Sequence, residues 1–308
     1  MVTAQMVKEL RERTGAGMMD CKKALNETEG DMEKAIDFLR EKGLAKATKK
    51  SGRIAAEGII ESYVSEDQKA GVLVEINCET DFVAKNEDFK AFAADVAKQA
   101  ISTEAADIEA FMAEAWQGEA GKTVKDIQTE KIAVIGENIN VRRFEKVDAS
   151  EGCVACYIHG GGKIGVMIQA KTDIVNDEVK ACLRNVAMQV AAMDPKYVSR
   201  DEVPADYLEH EKEILMAQAK EENPNKPENI IEKMITGRLN KELKEICLLD
   251  QAYVQDGDIT VAQYLEKVGK EVGATITVQK SVRFKTGEGL EKKVDDFAGE
   301  VANMFKKD

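Results

Sequence analysis

The chain has 308 residues, 44% of them apolar and 33% charged, with only four prolines. That is enough for two or more compact units with a real hydrophobic core, in a helix-rich globular protein. A formal charge of −13 argues against a mainly nucleic-acid-binding role, because phosphate contacts need concentrated Lys and Arg, and no apolar run is long enough to span a membrane.

Met1 to Arg13 reads as an amphipathic helix carrying acidic residues, unlike a signal or transit peptide, so the chain is expected in the cytosol. Residues 1 to about 50 then parse into three short helices. The first runs from about Thr3, an N-cap, to Arg13 and stops at Thr14-Gly15. The second runs from Met18 to Asn26 after Gly17. The third runs from the Asp31 cap to Lys42 and is expected to stop at Gly43. A basic segment, Ala45 to Arg53 with Lys46, Lys49, Lys50 and Arg53, follows as a hinge or an exposed helix end.

Strands come next. Val72, Val74 and Ile76 alternate with Leu73, Glu75 and Asn77, the period of a strand. The strand ends in a polar corner, Cys78-Glu79-Thr80-Asp81-Phe82-Val83, before a helical pattern that begins near Asp88. Phe82 is an aromatic at a surface corner, so it either folds back into the core or is presented to a partner.

This stretch has a counterpart. Gly71 to Ile76 resembles Gly165 to Ala170, and Thr80-Asp81-Phe82 resembles Thr172-Asp173-Ile174. Strands precede both copies (Gly58 to Val64, Cys153 to His159) and helical patterns follow both. A third strand is expected to close each half, over Asn138 to Phe144 and Thr275 to Phe284. The internal repeat predicts an α+β core of two related subdomains with antiparallel sheets. Only the first copy carries two extra residues, Cys78 and Glu79, before its Thr-Asp.

Within the second half, 205–222 and 228–246 read as two charged helices joined by Asn223-Pro224-Asn225-Lys226-Pro227. The return helix carries a stripe of Ile231, Met234, Ile235, Leu239, Leu243 and Ile246, which pairs the two as a helical hairpin or short coiled coil. It is either a stabilising arm or an edge for docking, as in a homodimer or heterotetramer. Leu290, Val294, Phe297, Ala298, Val301 and Phe305 form one face of an expected C-terminal helix. The expected domains are therefore 1–53 (three helices), 54–144, 145–286 with the hairpin at about 205–247, and 287–308.

Chemistry-bearing constellations are few. The six cysteines are too sparse for a disulfide scaffold. Cys153 and Cys156, near His159, have the spacing of a redox pair or half a zinc site. However, strand alternation puts them on opposite faces, no helix opens after them, and no second pair completes a ligand set. There is no P-loop and no nucleophile–base pair. Only two histidines occur, and the second, His210, falls in the hairpin. No cofactor and no metal are expected.

Four segments together resemble the bacterial elongation factor Ts family over essentially the whole length. Leu10 to Leu25 (LRERTGAGMMDCKKAL) is similar to its amino-terminal signature and Glu75 to Lys85 to its second; Ile135 to Ile139 and His159-Gly160 match further motifs. The resemblance implies a UBA-like amino-terminal domain and a guanine-nucleotide exchange factor for elongation factor Tu. Such a factor binds the GDP-bound GTPase, loosens GDP and Mg²⁺, and leaves as GTP enters. By position, the resemblance nominates Thr80, Asp81, Phe82 and Val83 as the region that dislodges Mg²⁺ from the partner. It adds Ile135 and His159 on the nucleotide-side face, Lys8, Arg11, Met18, Met19 and Lys22 on the three-helix unit, and Lys50 beyond it. Met18 and Met19 could alternatively cap the small unit's core. His159 could be a hydrogen-bonded strand histidine beside a Gly160-Gly161-Gly162 turn that is longer than the family pattern. A rival function is a small-helical-domain adaptor that binds helices without affecting nucleotide.

Overall fold

The structure is a computed structural model that describes residues 2–291. It begins as the capping residues dictate. The Thr3 hydroxyl accepts the Met6 N–H at 3.3 Å and opens α1 (Ala4–Thr14), which Gly15 closes in the left-handed region. Next come α2 (Met18–Glu27) and α3 (Met32–Lys50), the latter opened by the Asp31 carboxylate on the Lys34 N–H. Val7, Leu10, Cys21, Ala24, Leu25 and Ala35 form the core of this three-helix bundle.

The next elements are β1 (Glu57–Val64), β2 (Ala70–Cys78), α4 (Asp81–Ala84), α5 (Glu87–Ala100), α6 (Ile108–Ala113), α7 (Val124–Ile135) and β3 (Asn140–Asp148). The strands form one sheet in the order β1-β2-β3. There follow β4 (Gly152–His159), β5 (Ile164–Lys171), α8 (Asp177–Met193), α9 (Ala205–Glu222), α10 (Glu228–Ile246), β6 (Ala252–Tyr253), β7 (Asp256–Thr260), α11 (Val261–Val272) and β8 (Thr277–Lys285). Here β4-β5-β8 form a second three-stranded sheet. The β4/β5 pair is antiparallel, running in register from Gly152 opposite Lys171 to His159 opposite Ile164. The α+β class and the paired sheets therefore follow the internal repeat, with the third strand of each sheet beside the second. No helix among the described residues is long and apolar enough to cross a membrane.

The chain divides into two compact units. Among the described residues the first holds 2–61, 74–144 and 285–291, and the second holds Ser62–Leu73 and Glu145–Phe284. The second unit packs Val166, Ile168 and Ala170 of β5 against Val179, Leu183, Val186 and Val190 of α8. The hairpin helices have the expected bounds, and Ile231, Ile235, Leu239 and Leu243 are buried along α10. The expected C-terminal helix lies outside the described residues beyond Glu291.

One expectation is corrected. The third helix does not end at Gly43 but continues to Lys50. Gly43 is instead a crossing point: a Cβ there would sit 3.2 Å from Ala133 Cβ of α7, so the missing side chain lets two helices approach. The basic segment is accordingly helix as far as Lys50. On β2 the polar residues Glu75 and Asn77 are both buried. As the middle strand, β2 is covered on both faces. The Glu75 carboxylate is satisfied by Arg142 Nη1 at 3.1 Å, Arg143 Nε at 2.6 Å and the Gly287 N–H at 2.7 Å. A charge so buried is tolerated only because it is paired and fully hydrogen-bonded.

Gly43→Val should destabilise the protein by about 1–3 kcal/mol through overpacking against Ala133. A urea melt checks this, and an unchanged midpoint would show that the crossing has room to spare.

Candidate functional site

The corner after β2 is built by an exchange of carboxylates between two loops of the first unit. Glu137, just past the C-terminus of α7, reaches across the corner. Its Oε2 accepts the N–H groups of Glu79 and Thr80 at 3.0 and 3.1 Å, and its Oε1 accepts the Thr80 hydroxyl at 2.7 Å. In return, Glu79 Oε1 accepts the Asn138 N–H at 2.6 Å. Asn138 Nδ2 donates to the Arg53 carbonyl at 2.8 Å, and Arg53 lies 3.5 Å from the Glu79 carboxylate. Carboxylates accepting backbone N–H groups make charge-assisted bonds, roughly twice as strong as neutral ones.

The α7 helix that carries this loop is itself well fixed. Thr123 and Asp126 form a reciprocal capping box at its start, and the Thr123 N–H on Asp126 holds that carboxyl below the usual range. At the other end Gly136 takes φ 86°, which only glycine adopts cheaply. The Lys50 ammonium, at the end of α3, donates to the Gly136 carbonyl.

From this base the chain makes one turn of helix, α4. Thr80 opens it by accepting the Val83 N–H at 3.3 Å, and the Lys85 ammonium sits 2.7 Å from Asp81. Asn86 caps α5 immediately after. Within the turn Ala84 points into the core, whereas Phe82 is 81% exposed. The ring is therefore presented and not folded back. The counterpart corner in the second unit has no such turn: the Thr172 hydroxyl bonds its own Ile174 N–H and carbonyl, at 3.3 and 3.1 Å, and the chain runs directly to Asn176, the cap of α8. One of the two extra residues of the first copy, Glu79, supplies half of the carboxylate exchange.

The structure thus brings Lys50, Ile135 and the Thr80–Val83 turn into one hydrogen-bonded constellation, with Ile135 half-buried beside Gly136. On the three-helix bundle Met18 and Met19 are 59% and 75% exposed at the start of α2, so they do not cap its core. Lys22 is exposed one turn further on, and Lys8 and Arg11 are exposed on α1, Lys8 within 3.7 Å of Glu12. His159, in the second unit, ends β4; it is exposed, and its Nδ1 lies 2.9 Å from the Tyr157 hydroxyl. It is both a hydrogen-bonded strand histidine and an accessible one. The Gly160-Gly161-Gly162 run, all at positive φ, forms the turn beside it. Cys153 is buried against α8, and burial pushes the Cys156 thiol up to about 12. The two face opposite sides of β4, as alternation required, which leaves them without a shared site.

Sequence reasoning missed Glu137, Glu79, Asn138 and Arg53, whose roles exist only once two loops meet. Their signal was the Gly136-Glu137-Asn138 motif, read without a mechanism. It also missed Val134, an apolar residue 42% exposed next to Ile135.

A rigid corner that holds an apolar ring in water, with exposed methionines on a separate helix, defines a partner-binding protein. The comparisons then give the family. The model of the family described as Elongation factor TS matches residues 79–288. The chain is 55% identical over 304 residues to Elongation factor Ts of Clostridium perfringens and 55% over 305 residues to that of Clostridioides difficile, in each case 99% of both chains. It is 52% identical over 307 residues to that of Clostridium botulinum, covering all of both. The chain belongs to the elongation factor Ts family.

Because its ring contributes almost nothing to the core, Phe82→Ala should leave the melting temperature within about 1 °C of wild type, as for a surface change of under 0.5 kcal/mol. A calorimetric scan checks this, and a drop of several degrees would place the ring in the fold's own packing.

Proposed function

We propose that this chain releases GDP and Mg²⁺ from elongation factor Tu by delivering Phe82 into a pocket beside the partner's Mg²⁺ site. Membership of the family makes the chain a nucleotide exchange factor of elongation factor Tu in translation elongation; what the reading adds is the residues and the physics. A GTPase holds its nucleotide through Mg²⁺ and through backbone N–H groups around the phosphates. A factor that prefers the deformed, nucleotide-poor state must weaken nucleotide binding by the same factor. No covalent bond need be made or broken.

The observation that carries the reading is the exposed ring on its hydrogen-bonded corner. Burying it in a partner is worth roughly 1.5–3 kcal/mol, too little alone for an acceleration of many orders. Other contacts must share the work. The reading gives Asp81, Thr80 and Val83 the rim of the same contact, Ile135 and His159 the nucleotide-side face, and Lys8, Arg11, Met18, Met19 and Lys22 the GTPase domain. Lys50, already bonded to Gly136, serves the corner first. The α9–α10 arm is read as a docking edge for a homodimer or heterotetramer, because Ile214 and Ile230 stay exposed beside a stripe that is already buried.

Labelled GDP should leave elongation factor Tu much faster when the protein is added, and Phe82→Ala should slow that release about thirtyfold, for a truncation of about 2 kcal/mol. Absence of any acceleration by the unaltered chain would sink the exchange reading. Sedimentation tests the arm: Ile214→Glu with Ile230→Glu should reduce self-association, and an unchanged mass would leave the arm a stabilising one.

A further inference from the structure

We infer that Glu137 is a positioning residue for nucleotide exchange, its carboxylate fixing the pose in which Phe82 is offered to the partner. The inference rests on the reading of Phe82 as the inserted ring and extends it to a residue that need not touch the partner.

A single turn of helix has little stability of its own. α4 is four residues long, and one helical turn in water is unstable because several dihedrals are fixed for one hydrogen bond. Its most apolar member faces solvent, so the turn gains little from packing that ring. Something outside must hold it. Among the described residues the side-chain carboxylate that bonds the Thr80 cap is that of Glu137, which takes the Glu79 and Thr80 N–H groups and the Thr80 hydroxyl with one group. The return bond from Asn138 to Glu79 prevents the two loops from sliding past each other. The Lys50–Gly136 and Asn138–Arg53 bonds tie the same loop to the end of α3.

A ring held in one pose is paid for before binding. Without the latch, the corner would have to be ordered at the moment of insertion, and that ordering is lost from affinity. A misplacement of about 1 Å at a reacting interface can reduce rates a hundredfold.

The test is a double-mutant cycle on GDP release from elongation factor Tu, using the full chain. Glu137→Ala should slow release about tenfold, within the range such misplacements produce. Added to Phe82→Ala it should cost less than about twofold more, because residues acting through one another are non-additive. Glu137→Gln, whose amide oxygen still accepts the two N–H groups while its NH₂ turns to the Thr80 oxygen, should recover most of the rate. Hydrogen exchange supplies a readout independent of activity: in Glu137→Ala the Glu79 and Thr80 amides should exchange about tenfold faster, as local opening becomes cheaper.

Equal losses with and without Phe82, or undiminished amide protection, would overturn the inference. Should Glu137→Ala fail to melt cooperatively, Glu137→Asp, which withdraws the carboxylate from the Glu79 and Thr80 groups by one methylene, carries the same cycle. If the unaltered chain accelerates nothing, the exchange reading falls, and amide protection alone then decides whether the latch exists.

Discussion

The site depends on two glutamates that cross between loops. Glu137 satisfies the backbone of the corner after β2, and Glu79 satisfies the backbone of the loop after α7. Each loop alone would leave N–H groups unpaired next to a half-buried core, at a cost of about 1–3 kcal/mol apiece. Together they close every one of these donors with charged acceptors. The result is a cross-linked loop pair at a position where chains are usually mobile. Phe82 can be held in water on such a base, because the base does not need the ring.

The two halves of the core show how this arose from one plan. Both have a β-hairpin, a corner beginning Thr-Asp, a capped helix and a third strand beside the second. In the second half the Thr172 hydroxyl closes the corner on itself within two residues. In the first half the extra Cys78 and Glu79 leave room for a helical turn, and Thr80 becomes its cap. An additional pair of residues thus converts a closed corner into a platform, and the exposed ring appears only in that copy.

Below the platform the same first unit buries a second carboxylate, Glu75, among Arg142, Arg143 and the Gly287 N–H. Here the charge ties the middle strand to its neighbour and to the segment after β8. One glutamate therefore fixes the strand that leads into the corner, and another fixes the corner itself. Rigidity from both is what differential binding requires: a factor that weakens nucleotide affinity must hold its own shape while its partner changes.

Much of this was legible in the residues alone. Period-two alternation, cap residues and breaker runs located the bundle, both hairpins and the α9–α10 arm, because these signals act within a few positions of the chain. The repeat disclosed the paired sheets, and the unequal corners singled out Phe82. Tertiary structure decided the rest. Whether Gly43 stops a helix or lets one cross depended on Ala133, some ninety positions away along the chain. Whether Glu75 faces water or two arginines depended on which segment covers β2. Whether Phe82 turns inward or outward depended on how the helical turn after Thr80 packs, which buries Ala84 and leaves the ring exposed. Local propensity is a property of neighbours in sequence, whereas burial and hydrogen-bond partnership are properties of neighbours in space, and the ring's exposure is set by the second kind.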